Sequence, residues 1–207
     1  MNARISNNNR VAAFVLMVLT LCMFQTGCAR YAKEINSLYQ PVVTAHKGSG
    51  DLYIVIPENQ QSPSARIKWV LGKVTDDENK KIDELTSTRS PAEMAQAALV
   101  QELRKAGYNV FPVSKRPASH AKLLDIAKVD IVLDQVSDFA DIKATCRVVL
   151  DVDIYRNGQL VRKQQYQAAS TKTDIKDRNL LARSVLDEAM QAVMLNAVPG
   201  IIQQLEK

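Results

Sequence analysis

The run KATCRVVLDVDIYRNGQL, residues 143–160, constrains the fold more than any other stretch. Ala144, Cys146, Val148, Leu150, Val152 and Ile154 fall on alternate positions, the period of a strand with one buried face. Asn157-Gly158 then separates two strand-like runs, a strong hairpin signal because both residues accept positive φ. A two-residue turn would set Tyr155 opposite Leu160 and Asp153 opposite Arg162. The return run QLVRKQQYQAA has little apolar content. It reads as an edge or solvent-facing strand on which Arg162 and Lys163 discourage unwanted pairing. In such a row Cys146 is a small core hydrophobe rather than a nucleophile.

A helix must cover that face, and the chain offers two. In SPAEMAQAALVQELRKAGYNV, residues 90–110, Ser90 is an N-cap, Pro91 suits the first helical position and Glu93 completes a capping box. Ala95, Ala98, Leu99, Leu103 and Ala106 form an apolar stripe, and Gly107 supplies the left-handed stop. The second helix starts near Asp177, with Ala182, Val185, Leu186, Ala189, Met190, Val193 and Ala197 on one side, and Pro199-Gly200 is expected to break it. Strands are expected in DLYIVIP from residue 51, in RIKWVLGKV (Ile67, Trp69 and Leu71 on one face), in IDELTST, over Tyr108, Val110 and Phe111, and in VDIVLDQVSDF. A helical turn is expected over Leu123–Ala127 and a short helix over Tyr31–Leu38. Together these predict an α+β fold: a mostly antiparallel sheet of about four to six strands with two long helices on one face.

Val11–Phe24 is an uncharged run of fourteen residues behind Arg4 and Arg10. A spanning helix needs about 20 apolar residues, so the run reads as a signal h-region. Gln25, Thr26, Gly27 and Cys28 follow. This resembles the lipobox of bacterial lipoproteins, although Gln25 stands where an aliphatic residue is usual. Cys22 is the weaker candidate because bulky Leu21 precedes it. The resemblance implies cleavage between Gly27 and Cys28, with covalent diacylglycerol and an N-acyl chain on Cys28 and no other cofactor. Ala29, where Asp is the inner-membrane retention signal, implies the periplasmic face of the outer membrane. The expected organisation is a signal over 1–27, a lipidated Cys and flexible tether over 28–50, and a periplasmic domain over 51–207.

Removing residues 1–27 leaves 25 basic against 22 acidic residues. Basic residues are scattered and not interleaved with aromatics, unlike a nucleic-acid groove. With Cys22 removed and Cys28 acylated, Cys146 has no partner for an intramolecular disulfide. His46 and His120 lie in loop-like segments without a second ligand at helical spacing, so no metal site is expected. Asp151 and Asp153 share a strand face but no calcium-loop pattern surrounds them. The GSG at 48–50 lacks the Lys of a phosphate loop, and Ser119-His120 has no third member, so no catalytic residue is expected. Tyr53, Trp69, Phe111 and Phe139 are candidates to line a groove between sheet and helices that would receive an acyl chain or a partner peptide.

GKVTDDENKKIDELTSTRSPAEMAQAALVQELRKAGYNV, residues 72–110, with the Asn-Gly hairpin and C-terminal helix, resembles the YajG family of bacterial envelope lipoproteins. The helix ending in AGY-V is similar also to TolB-type N-terminal domains and to auxiliary lipoproteins of ABC lipid-transport systems. These resemblances imply an address and a fold, not a reaction. The expected protein is a non-enzymatic lipoprotein with an envelope protein as partner; the other expectation is a lipid-binding accessory of an ABC-type transporter.

Overall fold

The structure, a computed structural model, describes residues 33–44, 47–64, 68–138, 141–175 and 178–207. Within this, Ala32–Lys207 is one compact unit. Cys28, His46, Ile67, Phe139 and Asp177, and with them the signal and lipidation motif, lie outside the described residues.

The strands are β1 (Lys33–Glu34), β2 (Asp51–Val55), β3 (Trp69–Asp76), β4 (Lys81–Ser87), β5 (Asn109–Val113), β6 (Lys122–Ser137), β7 (Ile142–Arg156) and β8 (Gln159–Asp174). The helices are α1 (Pro91–Lys105) between β4 and β5, and α2 (Arg178–Leu205) after β8. All eight strands form one sheet organised around β6. One edge of β6 pairs with β7, which pairs with β8, both antiparallel. Its other edge takes two neighbours in turn, β2 beside Leu123–Asp125 and β3 beside Leu133–Ser137, both parallel. β5 and β1 extend the sheet by parallel pairing to β2 and β4.

Among the described residues the fold is α+β with two long helices, but the sheet is mixed rather than mostly antiparallel, and it has eight strands rather than four to six. The cause is the length of β6. Its sixteen residues leave room for two strands along one edge, and parallel entry needs a crossover, which the segment carrying α1 supplies. Gly72 permits the β3 approach: a Cβ there would sit 1.6 Å from the Leu133 carbonyl oxygen.

Leu123–Ala127 is strand, not a helical turn. A bulge between Ile126 and Lys128 shifts the parity, so buried Leu124 and Ile126 are followed by buried Val129, Ile131 and Leu133. That skipped residue hides one continuous strand from a period-two reading. A second bulge, between Ile154 and Tyr155, corrects the hairpin. Tyr155 does face Leu160, but Asp153 faces Lys163 instead of Arg162, and their charges meet at 3.0 Å.

The capping box forms, with Ser90 Oγ accepting from the Glu93 N–H and Glu93 Oε2 accepting from the Ser90 N–H. Gly107 takes φ +108° just past α1. α2 does not break at Pro199; it runs on to Leu205. A proline inside a helix costs about 3 kcal/mol, whereas Ile201, Ile202 and Leu205 are buried beyond it, each stabilising by roughly 1.5–3 kcal/mol. By length and composition α2 is apolar enough to cross a membrane, yet Ala182, Val185, Leu186, Ala189, Met190, Val193 and Ala197 are buried in the core.

Residues 33–50, expected to be a flexible tether, pack against the unit where they are described. Lys33–Glu34 is strand, so the short helix expected over Tyr31–Leu38 is absent among the described residues. Ile35 and Val43 are buried. Buried Glu102 of α1 accepts hydrogen bonds from the Tyr39 hydroxyl and from the Val42 and Val43 N–H groups at 2.7 and 3.1 Å. A buried carboxylate needs such partners, and these happen to fix the strap.

Candidate functional site

Of the four aromatics expected to line a groove, Tyr53 and Phe111 come together. They face each other across β2 and β5, with ring centroids 5.4 Å apart and stacked. Buried Leu52, Ile54 and Val110 point into the core with the helices, so alternation puts Tyr53 and Phe111 on the opposite sheet face. There the row continues through Leu123 to Tyr155. The Arg116 guanidinium stacks 4.1 Å from the Tyr155 ring centre and binds Asp125 at 2.8 Å. Trp69 lies elsewhere: its indole Nε1 donates to Ser62 Oγ at 2.9 Å. Phe139 lies outside the described residues.

An open concavity flanks α1. Glu93, already holding the helix cap, also receives the Ser62 N–H at 3.0 Å and the Ser62 hydroxyl at 2.6 Å. This fastens the loop after the 3-10 turn Glu58–Gln60 to the start of α1. Partial burial works to raise the Glu93 pKa, but the bonds from Ser62 and Ser90 outweigh it and hold the carboxyl below its usual value. Between that loop, α1 and β5 opens a cleft of about 630 Å³. Gln96, Ala97 and Val100 of α1 and Pro112 of β5 line it, with Arg89 and Arg104 toward its two ends. Gln96 Nε2 is spent on the Ile54 carbonyl at 3.0 Å. Each arginine makes one described hydrogen bond to a backbone carbonyl, Arg89 to Glu93 and Arg104 to Val110, and a guanidinium carries five N–H donors. Glu93 also lines the cleft and stays ionised while Ser62 and Ser90 bond its oxygens, so the charged side chains of the lining are two arginines and one carboxylate, net positive by one.

The groups with reactive side chains are elsewhere. Cys146 is fully buried on the core face, and burial, aided by the Asp134 charge, pushes its thiol up to about 12. His120 sits in the β5–β6 loop with Nδ1 against the Pro117 carbonyl at 3.1 Å and its ring edge on Tyr155. Asp151 and Asp153 engage Gln165 and Lys163 across the hairpin. Among the described residues no group of three or more His, Cys, Asp or Glu is placed to hold a metal. Sequence reading found Glu93 as a cap and Arg104 as a scattered cation; nothing in their spacing joined them to Ser62, Arg89 and Pro112.

No family model matches the chain, and no curated protein matches it. Among solved structures the chain is similar to XCC0632 from Xanthomonas campestris, of family DUF330, at 10% identity over 85% of this chain and 97% of that one, with a TM-score of 0.50. It is also similar to a neuraminyllactose-binding hemagglutinin homolog from Helicobacter pylori, at 11% identity over 84% of this chain and 96% of that one, with a TM-score of 0.43. At such identity the likeness to XCC0632 is one of fold: the chain shares the architecture of a DUF330 protein.

Proposed function

We propose that the chain is a non-enzymatic lipoprotein of the outer membrane, acylated on Cys28, whose periplasmic unit holds a segment of another envelope protein in the cleft beside α1. The observation that carries this reading is the short distance between motif and fold. The compact unit starts at Ala32, four residues after Cys28, so the anchor would hold a folded module close to the bilayer. Two acyl groups or more make such anchoring stable where one is marginal. The cleft has the size of a ligand site, yet it is open, with arginines at its ends, which suits an acidic or carboxylate-bearing peptide better than an acyl chain needing enclosure. The YajG-like assignment belongs to the same proposal.

The second reading, a lipid-binding accessory of an ABC-type transporter, is favoured by the apolar middle of the cleft at Ala97, Val100 and Pro112. A photo-crosslinking residue at Gln101, on the cleft wall, separates the two in cells. A discrete protein adduct supports the first. Adducts only to phospholipid, with lipid co-purifying in native mass spectra of the full chain, support the second and refute the first.

A further inference from the structure

We infer that the free edge of β8 pairs, antiparallel, with β8 of a second copy of this chain, about a two-fold axis at Ala168. The inference stands on the sheet alone and does not depend on acylation of Cys28 or on what the cleft holds.

Among the described residues β8 bonds to β7 alone, so Gln159–Asp174 leaves one long edge open. An edge strand presents unpaired N–H and C=O groups, and proteins guard such edges with charge, proline, bulges or a short strand. β8 has one bulge, opposite Ile154–Tyr155. Beyond it, the run QQYQAAST from Gln164 to Thr171 holds no charge, proline or glycine. Gln165, Gln167, Ala169 and Thr171 are exposed along it.

The flanking charges say which strand fits this edge. A two-fold axis perpendicular to the sheet keeps the helix-covered faces of both copies on one side. A slip of one residue would set opposite faces against each other. Centred on Ala168, the axis sets Arg162 opposite Asp174 of the second copy and Lys163 opposite Thr173, and symmetry repeats both pairs. Gln164 meets Lys172, Gln165 meets Thr171, and the two Ala168 residues meet each other. No like charges oppose in this register. Centred on Gln167, the axis would set Arg162 against Lys172 twice, which is destabilising. Paired over residues 162–174, the two edges make about a dozen backbone hydrogen bonds, comparable with the ten or so of an ordinary interface.

α2 supplies an apolar contact at the same place. Glu188 accepts from the Ser170 hydroxyl at 2.9 Å, Ser184 Oγ from the Lys172 ammonium at 2.7 Å, and Gly200 lies beside the Tyr166 hydroxyl. α2 therefore runs back along β8, and Leu195, between Glu188 and Gly200, comes level with Ala168. Seven residues after Glu188, it stands on the same side of the helix, and it is 51% exposed. A second copy brings its own Leu195 to the other side of the axis, where the two cover each other above the small Ala168 pair.

The test uses the full chain, oxidised with copper–phenanthroline in the cells that produce it and run on non-reducing gels. The parent chain, whose Cys146 is buried, gives the background. Ala168→Cys is expected to yield a disulfide-linked species of twice the chain mass. Gln165→Cys and Thr171→Cys should each stay monomeric alone, because six residues, about 20 Å, separate like positions across the axis. Produced together, the two variants should crosslink to each other. Leu195→Asp, at an exposed position, should lower the Ala168→Cys yield several-fold. If Ala168→Cys does not accumulate, the mixed dimer of positions 165 and 171 decides alone. Absence of that mixed dimer, equal yields from all three single variants, or a crosslink from position 168 only to a different protein overturns the inference.

Discussion

Glu206 and Lys122 meet at 2.6 Å, joining the residue just beyond α2 to the first residue of β6. The same Glu206 oxygen accepts from the Tyr108 hydroxyl at 2.5 Å, and Lys122 also reaches the Ser49 carbonyl at 2.8 Å. Helix, central strand and N-terminal strap therefore share one polar knot. Partial burial tends to raise the Glu206 pKa, but Lys122 and Tyr108 outweigh it and hold the carboxyl below its usual value. The contribution is thus fully present above the unfolded value near 4.3 and is lost as pH falls through the lower folded one. Glu206→Gln is expected to lower the unfolding free energy at pH 7, measured by urea titration, by about 0.5–1 kcal/mol for a pair at the surface, and to differ less from the parent at pH 3. A difference that widens in acid would contradict this.

Leu99 and Leu186 are fully buried, one on each helix. Leu99→Ala and Leu186→Ala should each destabilise the unit by about 2–5 kcal/mol through lost burial and the remaining cavity. Chemical unfolding unchanged by either would show that these helix faces do not pack as described.

Glu102 ties the strap to α1. Glu102→Ala leaves the Val42 and Val43 N–H groups without the carboxylate that accepts them, at a cost of about 1–3 kcal/mol for each one left buried and unsatisfied. Amide hydrogen exchange should accelerate at Val42 and Val43 far more than in β7. Unchanged protection there would mean that the strap is held by Ile35 and Val43 packing alone.

Cys146 should resist a thiol reagent in the folded protein, since burial keeps the thiolate scarce and the sulfur inaccessible. Ellman's reagent should label it only in denaturant. Rapid labelling under native conditions would contradict the placement of β7.

Local signals carried the legible part of this fold. The Ser90–Glu93 capping box, the Gly107 stop and the alternation on β7 are each contained within a few residues, so the sequence states them directly. The failures are all tertiary. A bulge at Ile126–Lys128 disguised a strand as a helical turn, and one at Ile154–Tyr155 moved Asp153 from Arg162 to Lys163. Pro199 was outweighed by buried residues after it, and the strap was held by a carboxylate some sixty positions away. The cleft was illegible for the same reason. Ser62, Arg89, Arg104 and Pro112 reach it from four segments that only the folded sheet brings together, while residue type alone does not say which sheet face the parity of Tyr53 and Phe111 selects.

The intact mass of the full chain produced in a Gram-negative host tests the account most directly. The expected mass corresponds to loss of residues 1–27 and addition of a diacylglycerol and an acyl group, with both changes abolished by Cys28→Ser. A mass that retains residues 1–27 and carries no added hydrocarbon would contradict the anchor and the envelope role built on it.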